Sequence, residues 1–173
     1  MKTAVIYNSQ TGFTRRYAEW IAEAVDGDCF ALGDAKQRDF DSYDAIVFGS
    51  WACAGRISKL AWFKANWGKW QGKRLIVFCT GGSPAESPEI DAFLSGNFSQ
   101  AEREQLCLFY CPGGFNYEKM PAGSRLMMKL FRKMVGAKKE KTEADREVLK
   151  MISRSYDISD RKYIEPILEL LEI

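Results

Sequence analysis

Residues 2–21 read Lys2-Thr-Ala-Val-Ile-Tyr-Asn-Ser-Gln-Thr-Gly-Phe-Thr-Arg-Arg-Tyr-Ala-Glu-Trp-Ile21, and this stretch decides the fold. It opens with an apolar run, Ala4 to Tyr7, with the length and β-branched content of a buried strand. A loop rich in hydroxyls follows, Ser9, Gln10, Thr11, Gly12 and Thr14. Phe13, Tyr17, Trp20, Ile21 and Ala24 then recur at helical spacing. Strand, hydroxyl-rich loop and helix N-terminus together make a phosphate holder. Free backbone N–H groups converge there, the helix dipole favours negative charge, and hydroxyls add donors. Gly12 gives the loop backbone angles denied to other residues. The plainer alternative is a capped helix after a strand, but a cap needs one hydroxyl and three are spaced here.

No lysine follows a glycine-rich run, which excludes the nucleoside-triphosphate loop, and the three-glycine dinucleotide fingerprint is also missing. Neutral donors suit a single terminal phosphate.

Downstream, strands alternate with helices. Strand patterns cover Cys29 to Leu32, Tyr43 to Gly49, Lys73 to Thr80 and Leu106 to Cys111, and residues 34–42 read as a polar connection. Helical spacing joins Leu60, Phe63, Trp67 and Trp70, with further helices expected over 88–94 and 100–105. Such alternation predicts a parallel sheet covered on both faces. Glycines mark three loops at predicted strand ends: Gly12, Gly49 to Gly55, and Gly81-Gly82. Any one of them is ordinary loop punctuation; all three on one edge point to a single pocket.

The run Val5-Ile6-Tyr7, then Ser9, Gly12, Thr14, Ala18 and Ile21, resembles the flavodoxin signature. The resemblance covers nearly the whole chain. It implies one flavodoxin-like α/β domain over residues 1–173, with three layers and a five-stranded parallel sheet in the order 2-1-3-4-5. It also implies flavin mononucleotide (FMN) as cofactor, at the carboxyl ends of the strands. The phosphate would then sit on Ser9, Gln10, Thr11, Gly12, Phe13 and Thr14. The ring would lie between the loop Ser50, Trp51, Ala52, Cys53, Ala54, Gly55 and the loop Thr80, Gly81, Gly82, Ser83, Pro84. Trp51 either stacks on the ring or packs under its loop, and Phe115 and Tyr117 are second-wall candidates. Ala52 to Gly55 could bring backbone groups to the flavin edge.

Two features depart from flavodoxin carriers, which are usually strongly acidic. The net charge here is +2, and the third loop lacks an acidic residue and a tyrosine. Both weaken the case for steering toward basic reductases.

Composition narrows the chemistry. The chain has 173 residues, 46% apolar and 28% charged, enough for one sizeable core. It contains no histidine, which removes the usual general base, most triads and a zinc site. Five cysteines without a C-x-x-C pair argue against a disulfide framework. No apolar run is long enough to span a membrane, and a cytoplasmic location is the default expectation. The basic residues lack the aromatic interleaving of a nucleic-acid binder.

Residues 116–141 form a basic helical insertion that the minimal fold does not need. From Pro121 to Val135 an amphipathic helix is expected. Leu126, Met127, Leu130, Phe131, Met134 and Val135 lie on one face, and Arg125, Lys129, Arg132 and Lys133 on the other. Its apolar face either docks on this protein's own core, the commoner arrangement, or meets an anionic membrane surface or a partner. The segment resembles, more weakly, the insertion of menaquinone-dependent protoporphyrinogen oxidases. That likeness implies an enzyme alternative with a quinone acceptor, beside an electron carrier serving a redox partner protein. A flavodoxin fold used purely as an interaction module is the non-redox alternative. Two further helical stretches, 142–152 and 164–171, compete to close the sheet.

Overall fold

The computed structural model describes residues 1–171. Five parallel strands form its centre: β1 (Thr3–Tyr7), β2 (Asp28–Ala31), β3 (Ala45–Cys53), β5 (Arg74–Gly81) and β6 (Cys107–Pro112), in the spatial order β2-β1-β3-β5-β6. Counted as parallel strands, this is the expected 2-1-3-4-5 arrangement. The extra number belongs to β4 (Arg56–Ile57), a short antiparallel strand folded back on the end of β3.

The strands read as unbroken apolar runs because both faces of the sheet are covered. Along β3, Ile46 and Phe48 face one core while Ala45 and Val47 face the other. On the first face lie α2 (Leu32–Ala35), α3 (Leu60–Asn66) with a 3₁₀ turn at Trp67–Trp70, α4 (Ile90–Gly96) and α5 (Gln100–Arg103). The Phe48 and Phe63 rings stack there, with centroids 5.3 Å apart. α1 (Phe13–Ala24) and α8 (Glu165–Leu171) cover the second face, burying Tyr17, Ala18, Ile21, Ile167 and Leu171.

The competition at the C-terminus is thereby decided: α8 closes the sheet. α7 (Glu143–Met151) buries no side chain and packs beside α6 (Ala122–Gly136). A reciprocal capping box between Thr142 and Asp145 starts α7.

Several boundaries move. The second strand stops at Ala31 because Leu32, expected as its last residue, turns inward as the start of α2, whose end at Ala35 falls in the stretch expected to be a polar connection. The third strand runs on to Cys53: beyond Gly49, where β1 ends, β5 still flanks it, and β4 pairs with its last residues. The fourth continues through Gly81.

A two-stranded ribbon, β7 (Gly114–Phe115) with β8 (Tyr156–Asp157), was not foreseen. It brackets the excursion 116–155, which carries α6 and α7 away from the sheet and returns to the fold.

Tyr17 ties the second core to this return. Its fully buried hydroxyl donates to the Pro112 carbonyl at 2.6 Å and accepts from the Asp160 N–H at 3.1 Å. Tyr17→Phe strips both backbone groups of their partner. It should cost about 1–3 kcal/mol, read as a lower denaturant midpoint with an unchanged slope.

Candidate functional site

The carboxyl ends of β1, β3 and β5 meet at one edge of the sheet because the three strands run parallel. At the end of β1 the chain bonds sideways to β3 through Asn8 N–H and Gly49 O, 2.9 Å apart, and then turns into α1. Gly12, at φ 105°, is the residue on which that turn pivots, and a side chain there would be strained.

No side chain caps α1. The Ser9 hydroxyl accepts from Gly12 N–H at 3.2 Å instead. Among the described residues, the backbone N–H groups of Ser9, Gln10, Thr11, Phe13 and Thr14 find no acceptor within the chain. Three hydroxyls stand at this loop, yet none does the capping that the plainer reading required. Unpaired donors at the positive end of a twelve-residue helix form an anion cradle. The nearby cations look elsewhere: Arg15 pairs with Glu19, and Arg16 with Asp157.

A cavity of about 440 Å³ adjoins the cradle, within the usual size of small-molecule sites. Gln10 and Thr11 border it from the first loop; Trp51, Ala52, Cys53 and Ala54 from the second; Gly81, Gly82 and Ser83 from the third. Ser9, Gly12, Phe13 and Thr14 lie outside the cavity lining, in the cradle or beneath it.

Some expected contacts lie deeper. The Ser50 hydroxyl is fully buried, donating to Ser58 O at 2.6 Å and accepting from the Asn8 amide at 3.0 Å. The Thr14 and Thr80 hydroxyls lie 2.7 Å apart, both buried, locking α1 to β5 under the loops. Ser50 and Thr80 therefore brace the floor rather than face the cavity. Gly55 does not line it either; it completes the β3–β4 turn.

That turn places two consecutive residues in the left-handed region, Ala54 at φ 47° and Gly55 at φ 78°, pairing Cys53 with Arg56. This matches the tight hairpin that favours Asn-Gly. Ala54 is thus strained beside the cavity.

The opposite wall comes from outside the three loops. Phe115 of β7 lines the cavity, with Tyr117 stacked behind it at 6.1 Å and 14° between planes. Tyr156 of β8 donates to Gly82 O at 2.7 Å, and Tyr110 of β6 donates to Ser83 O at 2.9 Å. Burial pushes the Tyr156 phenol up to about 12 and raises that of Tyr110 as well, so both remain donors throughout the neutral range. The third loop, which has no aromatic residue of its own, is held by two tyrosines from neighbouring strands.

The remaining wall was not read from sequence: Met120, Met127, Met128 and Phe131 from α6 and its approach, and Val148, Met151 and Ile152 from α7. The one available signal was the Met- and Phe-rich stripe of the amphipathic helix. Gln10 holds this wall to the cradle, its amide donating to the Ser124 hydroxyl at 2.9 Å.

All five cysteines are free, and burial raises the thiols of Cys79 and Cys111, which keeps them protonated. Among the described residues no cluster of acidic or cysteine side chains suits a metal.

Ala54→Asn should relieve the strained turn, stabilising the fold by about 1 kcal/mol. A higher melting temperature of the ligand-free protein would bear this out.

A flavodoxin-domain family model matches residues 4–142, about four-fifths of the chain. Among solved structures, a flavodoxin from the domain Archaea is similar at 19% identity. It covers 89% of this chain and all of that one, with TM-score 0.47. Oxidised Flavodoxin 1 from Bacillus cereus shares 16% identity over 76% of this chain and 93% of its own, with TM-score 0.46. A flavoprotein in complex with FMN from Lactobacillus acidophilus shares 18% over 64% and 91%, with TM-score 0.44. Among curated proteins none matches. On the family match, which takes in the cradle and all five parallel strands, the chain belongs to the flavodoxin-domain family.

Proposed function

We propose that this protein binds FMN non-covalently and serves as an electron-transfer flavoprotein. The observation that carries the reading is the uncapped start of α1, where unpaired N–H groups open beside a cavity walled by Trp51 and Phe115. The residues fit the group. Neutral donors and Gly12 suit a terminal phosphate, and the aromatic walls suit a flat apolar ring. Ala52 to Ala54 and Gly81 to Ser83 border the same space.

When bound, the flavin would supply one- and two-electron redox chemistry. The chain's own residues bind it, orient it and keep water from one side. No side chain is asked to move a proton, in keeping with a chain that lacks histidine. The electron partner under this reading is a redox protein or a quinone. The net charge of +2 suits a partner other than the basic reductases that acidic carriers meet.

A second reading is favoured by the Met-lined wall of α6 and α7, which extends the cavity beyond the strand-end loops. In it the protein is an oxidoreductase of the protoporphyrinogen oxidase type, taking electrons from a large planar substrate held against that wall and passing them to a quinone. Turnover of protoporphyrinogen by the FMN-loaded protein with a quinone acceptor separates it from a carrier. The interaction-module alternative leaves the unpaired donors of the cradle without a role.

The phosphate cradle is tested by comparing FMN with riboflavin. Two charge-assisted hydrogen bonds suffice to make FMN bind about a hundredfold more tightly. Thr11→Val should cost about tenfold for FMN and nothing for riboflavin, whereas Trp51→Ala should weaken both by about tenfold. Equal affinity for the two flavins would overturn the assignment.

A further inference from the structure

The excursion 116–155 places a helix where the fold does not bury it. α6 is fifteen residues long, yet Val135 is its single buried side chain. Of its apolar stripe, Leu126 is 58% exposed, Leu130 59% and Met134 61%. These three recur every fourth residue and so form one row along the helix. Met127 and Phe131 form the next row, half facing outward and half lining the cavity. The alternative that the apolar face docks on this protein's own core is thereby corrected. Five of the seven large apolar side chains exposed among the described residues lie on α6. Such concentration marks an interaction surface.

The charge beside the stripe selects what it meets. Residues 116–141 hold eight basic and two acidic side chains, a net +6 in a chain of net +2, so the remainder carries −4. Lys129 and Lys133 flank the Leu126 row, with Arg125 and Arg132 beyond them. Among the described residues, Lys129, Arg132, Lys133 and Lys139 make no ion pair; Lys138 is held by Asp145.

We propose that α6 is an interfacial helix that seats the Leu126-Leu130-Met134 row in an anionic lipid surface, with its lysines and arginines at the headgroups. Both properties that define such a helix are present, a solvent-facing apolar row and a cationic flank beside it. A second copy of this chain fits badly, because an isologous pairing would bring two +6 faces together. Nucleic acid would use the charge and leave the aliphatic row in water. The −4 remainder of the molecule is repelled by the same membrane, which orients the protein with α6 downward. Because Met127 and Phe131 belong both to the outward row and to the cavity wall, docking turns the Met-lined side of the cavity toward the bilayer. The docking surface rests on exposure and charge, and does not require that the cavity hold a flavin.

The test is flotation of the full chain with vesicles of phosphatidylcholine containing about 30 mol% phosphatidylglycerol. Vesicles of phosphatidylcholine alone are the comparison. Binding should be at least about tenfold stronger to the anionic vesicles and should fall with salt. The triple variant Leu126→Ser/Leu130→Ser/Met134→Ser should lose about a hundredfold in partitioning. Lys129→Gln and Lys133→Gln should each lose about fivefold. All these side chains are exposed, so melting temperatures and flavin content should match the parent. Three results would overturn the proposal: no preference for anionic vesicles, partitioning unmoved by the triple variant, or a dimer in gel filtration that the triple variant abolishes. Duplex DNA bound as tightly as the vesicles, and equally well by the triple variant, would assign the patch to nucleic acid instead.

Discussion

Parallel pairing of β1 with β3 is the constraint from which the site follows. Its register sets Tyr7 against Gly49, and the bond from Asn8 N–H to Gly49 O carries that alignment one residue past the strand. Once β1 is pinned there, the loop has four residues, 9 to 12, in which to reverse into α1. Gly12 makes the reversal by taking a left-handed conformation. The donors left unpaired are thus a product of sheet geometry. A helix beginning in open solvent would cap itself with one of its own hydroxyls. Here two of the three hydroxyls are committed, Ser9 to Gly12 N–H and Thr14 to Thr80.

The cavity beside the cradle has two unlike halves. One is built of strand ends, where backbone geometry is fixed by the ladder and by hydroxyls locked beneath the surface. The other is built of methionines and a phenylalanine on α6 and α7, side chains that fit a flat ligand by changing rotamer rather than backbone. Gln10 joins the halves through Ser124, and the β7–β8 ribbon anchors the excursion that supplies the second half. A rigid polar half and a pliable apolar half suit a ligand whose phosphate must be placed accurately and whose ring must be shielded. Strain at Ala54 sits on the rigid side, where the surrounding hairpin holds it.

Charge is divided along the same line. The sheet and its covering helices are mildly acidic in sum, and the excursion is strongly basic. A net charge of +2 conceals this, because two opposed fields nearly cancel in the total while acting on different surfaces. No helix among the described residues is long and apolar enough to cross a membrane. In the proposal above, it is α6 that meets a bilayer, from one side.

Local sequence carried most of the fold. Strands buried on both faces announce themselves as apolar runs, α1 by its spacing, α7 by its capping box, and the cradle by a glycine among hydroxyls at a strand-to-helix junction. Those signals are local because hydrogen-bond geometry and helical period act over a few residues. What local sequence left open depended on distant partners. Whether Ser50 faced a ligand or the floor was settled by Ser58 and Asn8; whether Trp51 lined the cavity, by how far β5 ran alongside β3. The choice of α8 over α7 to close the sheet, the β7–β8 ribbon, and the exposure of the α6 apolar row rested on contacts between residues far apart in the chain. An amphipathic pattern states that a helix has an apolar face; only the packed structure states whether the protein has surface left to cover it.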